Sequence, residues 1–340
     1  MNNLSKLTAL ILAAMMMLSL VACGGAAEEP ADKPAEEPAN HTAAEETTAD
    51  TYTVGICQLV QHVALDDATQ GFIDALNEAL PGQVTFDNQN ASNEIPMCST
   101  IVNQFIAEEV DLIMANATPA LQAASAATSE IPILGTSVTE YGVALGIDGF
   151  TGTVGNNVSG TSDLAPLDEQ AAMIKEWFPD ASTVGLLYCS AEANSQYQVD
   201  VVQAELEALG YTVTQYPFSD SNDLSGVCTT AANASDVIYV PTDNTVAANT
   251  GIVDNICRPA GVPVVAGEEG ICSGCGVATL SISYYDLGVT TGEMAAKILK
   301  GEADVTQMPI EYTGVTKKYN AAICEDLGLT VPDGYVAIEG

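Results

Sequence analysis

The chain has 340 residues, with 45 Asp and Glu against 8 Lys and Arg, and a formal charge of −37. That balance excludes an ordinary nucleic-acid binder, which needs clustered Lys and Arg to displace counterions from phosphate. A hydrophobic content of 47% excludes a wholly disordered acidic chain, and the length suits one large or two ordinary domains.

The N-terminal segment reads as an export signal. Lys6 is the only charge before residue 23, and Leu7 to Ala22 is an apolar run interrupted only by Thr8 and Ser19. This run is short of the ~20 residues a spanning helix needs, and it has the basic start and apolar middle of a signal peptide. Leu20-Val21-Ala22-Cys23-Gly24 resembles a bacterial lipobox, in which the Cys becomes diacylated and N-terminal. Residues 1–22 are therefore expected to be a lipoprotein signal peptide, and Cys23 the lipidation site. Residues 23–50 are rich in Ala, Glu, Pro and Thr, with eight acidic residues against Lys33. They have almost nothing to bury and should form a solvated, self-repelling tether. The remaining charge is uneven: no Lys or Arg lies between 34 and 174.

From residue 51 onward, apolar runs of strand length alternate with amphipathic stretches. Strands are predicted at Thr53–Leu59, Val84–Asp87, Asp111–Ala115, Ile131–Gly135, Val184–Tyr188, Thr212–Tyr216, Val237–Val240, Pro263–Ala266 and Val277–Ile282. The runs are near-continuously apolar, as strands buried on both faces should be. Leu65, Ala68, Phe72, Leu76 and Ala79 mark the face of a helix stopped by Pro81-Gly82. Tyr197, Val201, Ala204 and Ala208 repeat the pattern, as do Tyr284, Leu287, Thr291, Met294 and Ile298. Strand–helix alternation implies an α/β fold with parallel sheets and right-handed crossovers. Glycines at 142, 146, 149, 152, 155 and 160 separate the first four units from the next four. The expected architecture is two doubly wound parallel-sheet lobes, with ligands held in the cleft beyond the carboxyl ends of the strands.

Catalytic motifs are absent. There is no G-x-x-x-x-G-K-[ST], G-x-S-x-G or H-E-x-x-H, and no G-x-G-x-x-G after the first strand. His62, the one His beyond residue 50, has no identifiable nucleophile to activate. Eight cysteines follow Cys23: Cys57, Cys98, Cys189, Cys228, Cys257, Cys272, Cys275 and Cys324. Cys272-Ser-Gly-Cys275 has CxxC spacing, but no second CxxC or CxxH completes a zinc set. No metal, cofactor or catalytic residue is expected. Export permits disulfides, and eight cysteines allow 105 pairings among which sequence cannot choose.

Polar residues do follow the strands. They are Gln58, Gln61 and His62; Asn116 to Pro119, with Thr118; Thr136, Ser137 and Thr139; Ser190, Glu192, Asn194 and Ser195; Thr242, Asp243, Asn244 and Thr245; and Glu268 with Glu269. Each could cap its own helix and nothing more. Together they ring the expected cleft. With no cation from 34 to 174, a ligand carboxylate would have to meet hydroxyls and helix N-terminal N–H groups. A ligand amine would find Asp243, Glu192 or Glu268. A zwitterion such as an amino acid satisfies both halves.

These residues, with the lipobox and tether, resemble the substrate-binding lipoproteins of ABC importers, which have the type I periplasmic-binding-protein fold. More narrowly they are similar to the ABC-substrate-binding family that includes tryptophan- and phenylalanine-binding proteins. The matching stretches are 61–66 (Gln-His-Val-Ala-Leu-Asp), 135–139 (Gly-Thr-Ser-Val-Thr), 159–163 (Ser-Gly-Thr-Ser-Asp) and 190–195 (Ser-Ala-Glu-Ala-Asn-Ser). Pro241-Thr242-Asp243-Asn244, Gly267-Glu268-Glu269 and 284–288 (Tyr-Tyr-Asp-Leu-Gly) complete the set.

The resemblance implies hinge closure on a ligand without catalysis, and delivery to an ABC permease. It also implies that the chain crosses back, giving one lobe from 51–140 plus 282–308 and another from 141–281 plus 309–340. The expected ligand is an aromatic or other hydrophobic amino acid. Thr118, Thr136 and Ser137 are expected at its carboxylate, and Asp243 and Glu192 at its ammonium. Gln58, His62, Ser190, Asn194, Asn244 and Glu268 would line the remainder. The protein is expected to be a monomer, lipid-anchored on the extracytoplasmic face of the cell membrane, with no nucleic-acid partner. Two alternatives stay open. One is the same fold binding a sugar, nucleoside or signal molecule as a sensor co-receptor. The other is an exported enzyme dependent on His62.

Overall fold

A computed structural model describes residues 51–338; the expected signal peptide, Cys23 and tether lie outside the described residues. Residues 51–338 lie within one compact unit. In chain order its elements begin β1 (Tyr52–Gln58), α1 (Val63–Ala79), β2 (Val84–Asn90), α2 (Ile95–Ala107), β3 (Leu112–Asn116), α3 (Thr118–Ala127), β4 (Ile133–Val138), α4 (Tyr141–Leu145) and β5 (Val158–Ser162). There follow α5 (Leu167–Trp177), β6 (Thr183–Cys189), α6 (Ala193–Ala208), β7 (Thr212–Phe218), α7 (Ser221–Ala234), β8 (Val237–Val240), α8 (Asn244–Ala247) and α9 (Thr250–Ala260). The last are β9 (Val264–Ala266), α10 (Glu269–Cys275), β10 (Ala278–Ile282), α11 (Tyr284–Leu299), β11 (Glu311–Tyr312), β12 (Val315–Tyr319), α12 (Ala321–Asp326) and β13 (Val336–Ala337).

Two sheets result. The first has the order β11-β5-β4-β3-β1-β2 and the second β13-β12-β10-β9-β8-β6-β7. Pairings are parallel except that of β12 with β10. In each sheet the first strand lies between the second and third, so successive helices cover opposite faces and a crevice opens where the order reverses. The expected α/β fold with two doubly wound sheets is present. The nine predicted strands all exist, each within a few residues of its expected bounds.

The boundary between the lobes differs from the one expected. β5 pairs with β4 in the first sheet, so the chain stays in the first lobe past 141 and leaves it after Ser162. The return at α11 is followed by β11, which pairs with β5 and carries the first lobe on to Tyr312 rather than 308. Of those glycines, Gly142 lies in α4 and those at 146–155 in the stretch between α4 and β5, all within the first lobe and not at the junction. β5 escaped prediction because Val-Ser-Gly-Thr-Ser is not an apolar run. Its hydroxyls are buried but bonded: Ser159 Oγ donates to the Met308 carbonyl (3.0 Å), Thr161 Oγ1 meets Thr291 Oγ1 (2.8 Å), and Ser162 Oγ donates to the Thr139 carbonyl (2.8 Å). Burial then costs little.

α11 is clamped to α1 by absent side chains. A Cβ on Gly288 would stand 2.0 Å from the Ala68 carbonyl oxygen, and one on Gly71 would stand 2.2 Å from that of Tyr285. α11 buries Tyr284, Leu287, Thr291 and Met294, the expected face. α6 exists where predicted but buries a different face: Ser195, Val199, Val202 and Leu206, with Asn194 and Gln198. The aliphatic spacing of Tyr197, Val201 and Ala204 misled because two buried polar residues hold the helix, both bonding the Thr242 carbonyl. Among the described residues no helix is long and apolar enough to cross a membrane.

Candidate ligand-binding site

The strand ends of both sheets meet across a narrow cleft. His62 precedes α1 in the first lobe, and its Nε2 lies 3.3 Å from Oδ1 of Asn244 in the second. Asn93 Nδ2 reaches Thr245 Oγ1 at 3.2 Å nearby. Between the lobes lies a tightly closed cavity of about 10 Å³, lined by His62, Leu65, Ser137, Asp163, Asn194, Thr242, Asp243, Asn244, Ala247, Glu268 and Tyr284. That is room for about one water, far below the roughly 300–1,000 Å³ of pockets for drug-sized ligands, so a larger guest enters only when the lobes part. A more open hollow of about 350 Å³ shares Glu268 and Tyr284 and contains the Lys318–Glu269 ion pair (2.5 Å).

The smaller cavity is singled out by unsatisfied polar atoms. Eight buried side-chain N or O atoms among the described residues lack a hydrogen-bond partner, and four of them belong to residues lining it: His62 Nδ1, Ser137 Oγ, Asp163 Oδ1 and Asn194 Oδ1. Such groups are expensive to bury unpaired, and their gathering at one cavity marks a place for a polar ligand. Their roles can be read. Asn244 Nδ2 donates to Glu192 at 2.7 Å, which turns its Oδ1 to His62. His62 Nε2–H therefore donates, and Nδ1 is a bare acceptor. Burial holds the imidazole below its ordinary value, keeping it neutral. Asn194 Nδ2 donates to the Thr242 carbonyl, leaving Oδ1 free to accept. Asp163 accepts the Tyr284 hydroxyl at 2.9 Å on Oδ2 only. Three of the four atoms are thus acceptors.

Three carboxyl groups face this cavity. Burial pushes Asp243 up to about 8, helped by the charge of Glu192. Burial likewise raises Glu268 to about 7 and Asp163 to about 6, the latter opposed by the Tyr284 hydroxyl. No Lys or Arg lines the cavity. Two of the carboxylates also cap helices. Asp243 accepts from Val246 N (2.9 Å) and Cys189 N (2.7 Å), while Glu268 accepts from Gly270 N (2.6 Å) and Ile271 N. Ser137 is placed by strain: β4 shifts register between Gly135 and Val138, and Ser137 takes φ 54°. A non-glycine residue in that region costs about 1–2 kcal/mol, a cost often found at functional sites.

Of the residues expected at the site, the cavity gathers His62, Ser137, Asn194, Asp243, Asn244 and Glu268. It does not gather the other five. Gln58 is spent within the first lobe, donating to Asp66 (2.6 Å) and accepting from Thr69 (2.7 Å). Thr118 is buried at the start of α3, and Thr136 Oγ1 pairs with Thr161 Oγ1 at 3.2 Å. Ser190 is exposed and donates to the Phe218 carbonyl at 3.1 Å. Glu192 accepts from Asn244 N, Asn244 Nδ2, Thr245 N, Thr245 Oγ1 and Asn194 Nδ2. Its carboxylate builds the second-lobe wall and has little left for a ligand. Asp163, Thr242 and Tyr284 also line the cavity; Thr242 stood in the expected ring without an assigned contact, and Asp163 was not expected there. Asp163 follows the one strand of the first sheet's parallel core that has no apolar run. The signal that could have found it was its place within the quoted 159–163 stretch.

All eight cysteines beyond residue 50 are buried and unbridged. Among the described residues no group of three or more His, Cys, Asp or Glu is placed to hold a metal ion.

Known proteins match this arrangement. A family model described as ABC transporter substrate binding protein matches residues 53–337. A tyrosine-binding protein of Clostridioides difficile (strain R20291) is 36% identical over 260 residues, 76% of this chain and 75% of that protein. A domain from Streptococcus pneumoniae in complex with L-Trp superposes with a TM-score of 0.80 at 30% identity, covering 85% of this chain and 100% of that one. The ligand-free, open structure of a substrate-binding protein with adhesive properties from Clostridium difficile gives 0.64 at 36% identity, again covering 85% and 100%. The chain belongs to the ABC transporter substrate-binding protein family.

Proposed function

We propose that this protein is the extracytoplasmic receptor of an ABC importer for a small zwitterionic solute, an aromatic or other hydrophobic amino acid, which it binds by lobe closure and delivers to the permease without chemical turnover. The observation that carries this reading is the cavity itself: unpartnered acceptors on His62 and Asn194, and three carboxyl groups of which Asp163 has a free oxygen, with no cation among its lining. An ammonium group has three donors and a charge, and matches that set. The Ser137 hydroxyl is the unpartnered donor available to the ligand carboxylate. Leu65, Ala247 and Tyr284 supply apolar and aromatic wall. The tyrosine-binding relative and the L-Trp complex support the amino-acid class. The lipobox at Cys23 and the acidic stretch after it support a receptor tethered by lipid to the membrane.

The ammonium contact is tested at Asp163. Asp163→Asn keeps an acceptor for Tyr284 and removes the charge. Its affinity for the amino acid, measured by calorimetry, should fall at least ~10-fold, the loss of a charge-assisted hydrogen bond. Unchanged affinity would remove Asp163 from the ammonium site.

A further inference from the structure

Cys228 on α7 and Cys257 on α9 face each other in the second-lobe core, with their Sγ atoms 3.6 Å apart. The two residues are 29 positions apart in the chain, and both are buried. The other second-lobe thiols with a hydrogen-bond partner donate to carbonyls: Cys189 to Ser219, Cys275 to Ile271 and Cys324 to Val277. We infer that Cys228 and Cys257 are a disulfide-forming pair, joined under the oxidising conditions met outside the cytoplasm. The inference rests on the extracytoplasmic location in the proposed function.

The geometry requires a small movement. A disulfide places its sulfurs about 2.05 Å apart, so the two must approach by roughly 1.5 Å. α9 can yield, because Pro259 stands inside its last turn and lacks the N–H that would tie it to the preceding turn. The thiol–thiol hydrogen bond favours the thiolate at Cys228, although burial opposes it. The chemistry balances with a disulfide-bearing oxidant. The Cys228 thiolate attacks one oxidant sulfur and expels the other as a thiolate. Cys257, deprotonated, then attacks Cys228 Sγ, forming the Cys228–Cys257 bond and expelling the second thiolate. The two cysteines lose two protons and two electrons, and the oxidant is reduced to two thiols. Both sulfurs are shielded in the folded lobe, so the bond forms during folding or during an opening of α7 from α9. The closed loop contains β8 and the Asp243–Asn244 wall of the cavity, so the bridge would fasten the ligand-facing segment to the core.

The test is to refold the full chain with glutathione disulfide as the oxidant, alkylate the free thiols under denaturing conditions, cleave at Asp residues and read the linkages by mass. Cleavage before Asp236 and Asp254 separates the two cysteines. The expected result is a Cys228–Cys257 link that reductant releases and that Cys257→Ser abolishes, leaving Cys228 alkylated. The linked chain should also melt ~5 °C or more above the same chain reduced, as closure of a loop this long implies. Alkylation of both cysteines, or a link from Cys228 to any cysteine other than Cys257, would overturn the inference. The readout needs no ligand, so its failure is distinct from failure of the proposed function.

Discussion

His62 Nε2 and Asn244 Oδ1 meet at 3.3 Å across the cleft, although 182 positions separate them in the chain. The contact exists only while the lobes are together, and it leaves His62 Nδ1 a buried acceptor without a partner. His62→Ala removes both the latch and an acceptor for the ligand. A net hydrogen bond contributes about 1 kcal/mol, so amino-acid affinity should weaken at least ~5-fold in a calorimetric titration. An unaltered dissociation constant would mean that the latch does not contribute to binding.

The buried carboxyl groups give closure a direction with pH. Asp163 at about 6, Glu268 at about 7 and Asp243 at about 8 all stand above the ordinary carboxylate range in the closed arrangement. An acid raised in this way favours the form that buries it while protonated. Its contribution is whole below the ordinary value and is lost as pH rises through the raised value. Without ligand, the protein should therefore open as pH rises from about 6 to 8. Small-angle scattering should show a larger radius of gyration at the alkaline end, and a saturating amino acid should cancel the increase. Expansion toward acid instead would show that the sign is wrong.

Glu192 holds the wall rather than the ligand. Its carboxylate accepts five donors from Asn194, Asn244 and Thr245. In Glu192→Gln an amide NH2 would face donors. The loss should be about 2 kcal/mol of stability, seen as a melting temperature lower by roughly 4 °C. Ligand affinity should fall less than in Asp163→Asn. The reverse order would make Glu192 the ammonium partner.

The α1–α11 seam predicts a large penalty for one methyl group. Gly288→Ala would put Cβ 2.0 Å from the Ala68 carbonyl oxygen, an atom of backbone that cannot swing away. Destabilisation of about 3 kcal/mol is expected by urea unfolding. Gly226→Ala, where a Cβ meets nothing within 4 Å, is the control and should be nearly neutral.

Much of this architecture was legible. β1, β3, β6 and β8 are apolar runs with burial on both faces, and that pattern has few other readings. What stayed hidden was polar and long-range. β5 buries hydroxyls satisfied by Met308, Thr291 and Thr139, partners up to 149 positions away. α6 turns its polar Asn194 and Gln198 inward because the Thr242 carbonyl awaits them. The acidic residues at strand ends were visible, but not their division of labour. Glu192 faces the wall's own N–H groups, while Asp163, one residue beyond an unrecognised strand, faces the cavity. Sequence shows which residues are polar at the cleft; only the fold shows which of them are already satisfied.

The central claim is that buried acceptors and carboxyl groups await an amine on a small amino acid. The most direct measurement is a thermal-shift titration of a fragment spanning residues 51–340 with L-amino acids and their N-acetyl derivatives. At 100 times its dissociation constant a ligand should add about 2.7 kcal/mol of stability. An aromatic or hydrophobic amino acid is expected to stabilise the protein and its N-acetyl derivative to do nothing. Equal stabilisation by the acetylated compound, or stabilisation by a sugar or nucleoside and by no amino acid, would contradict the account.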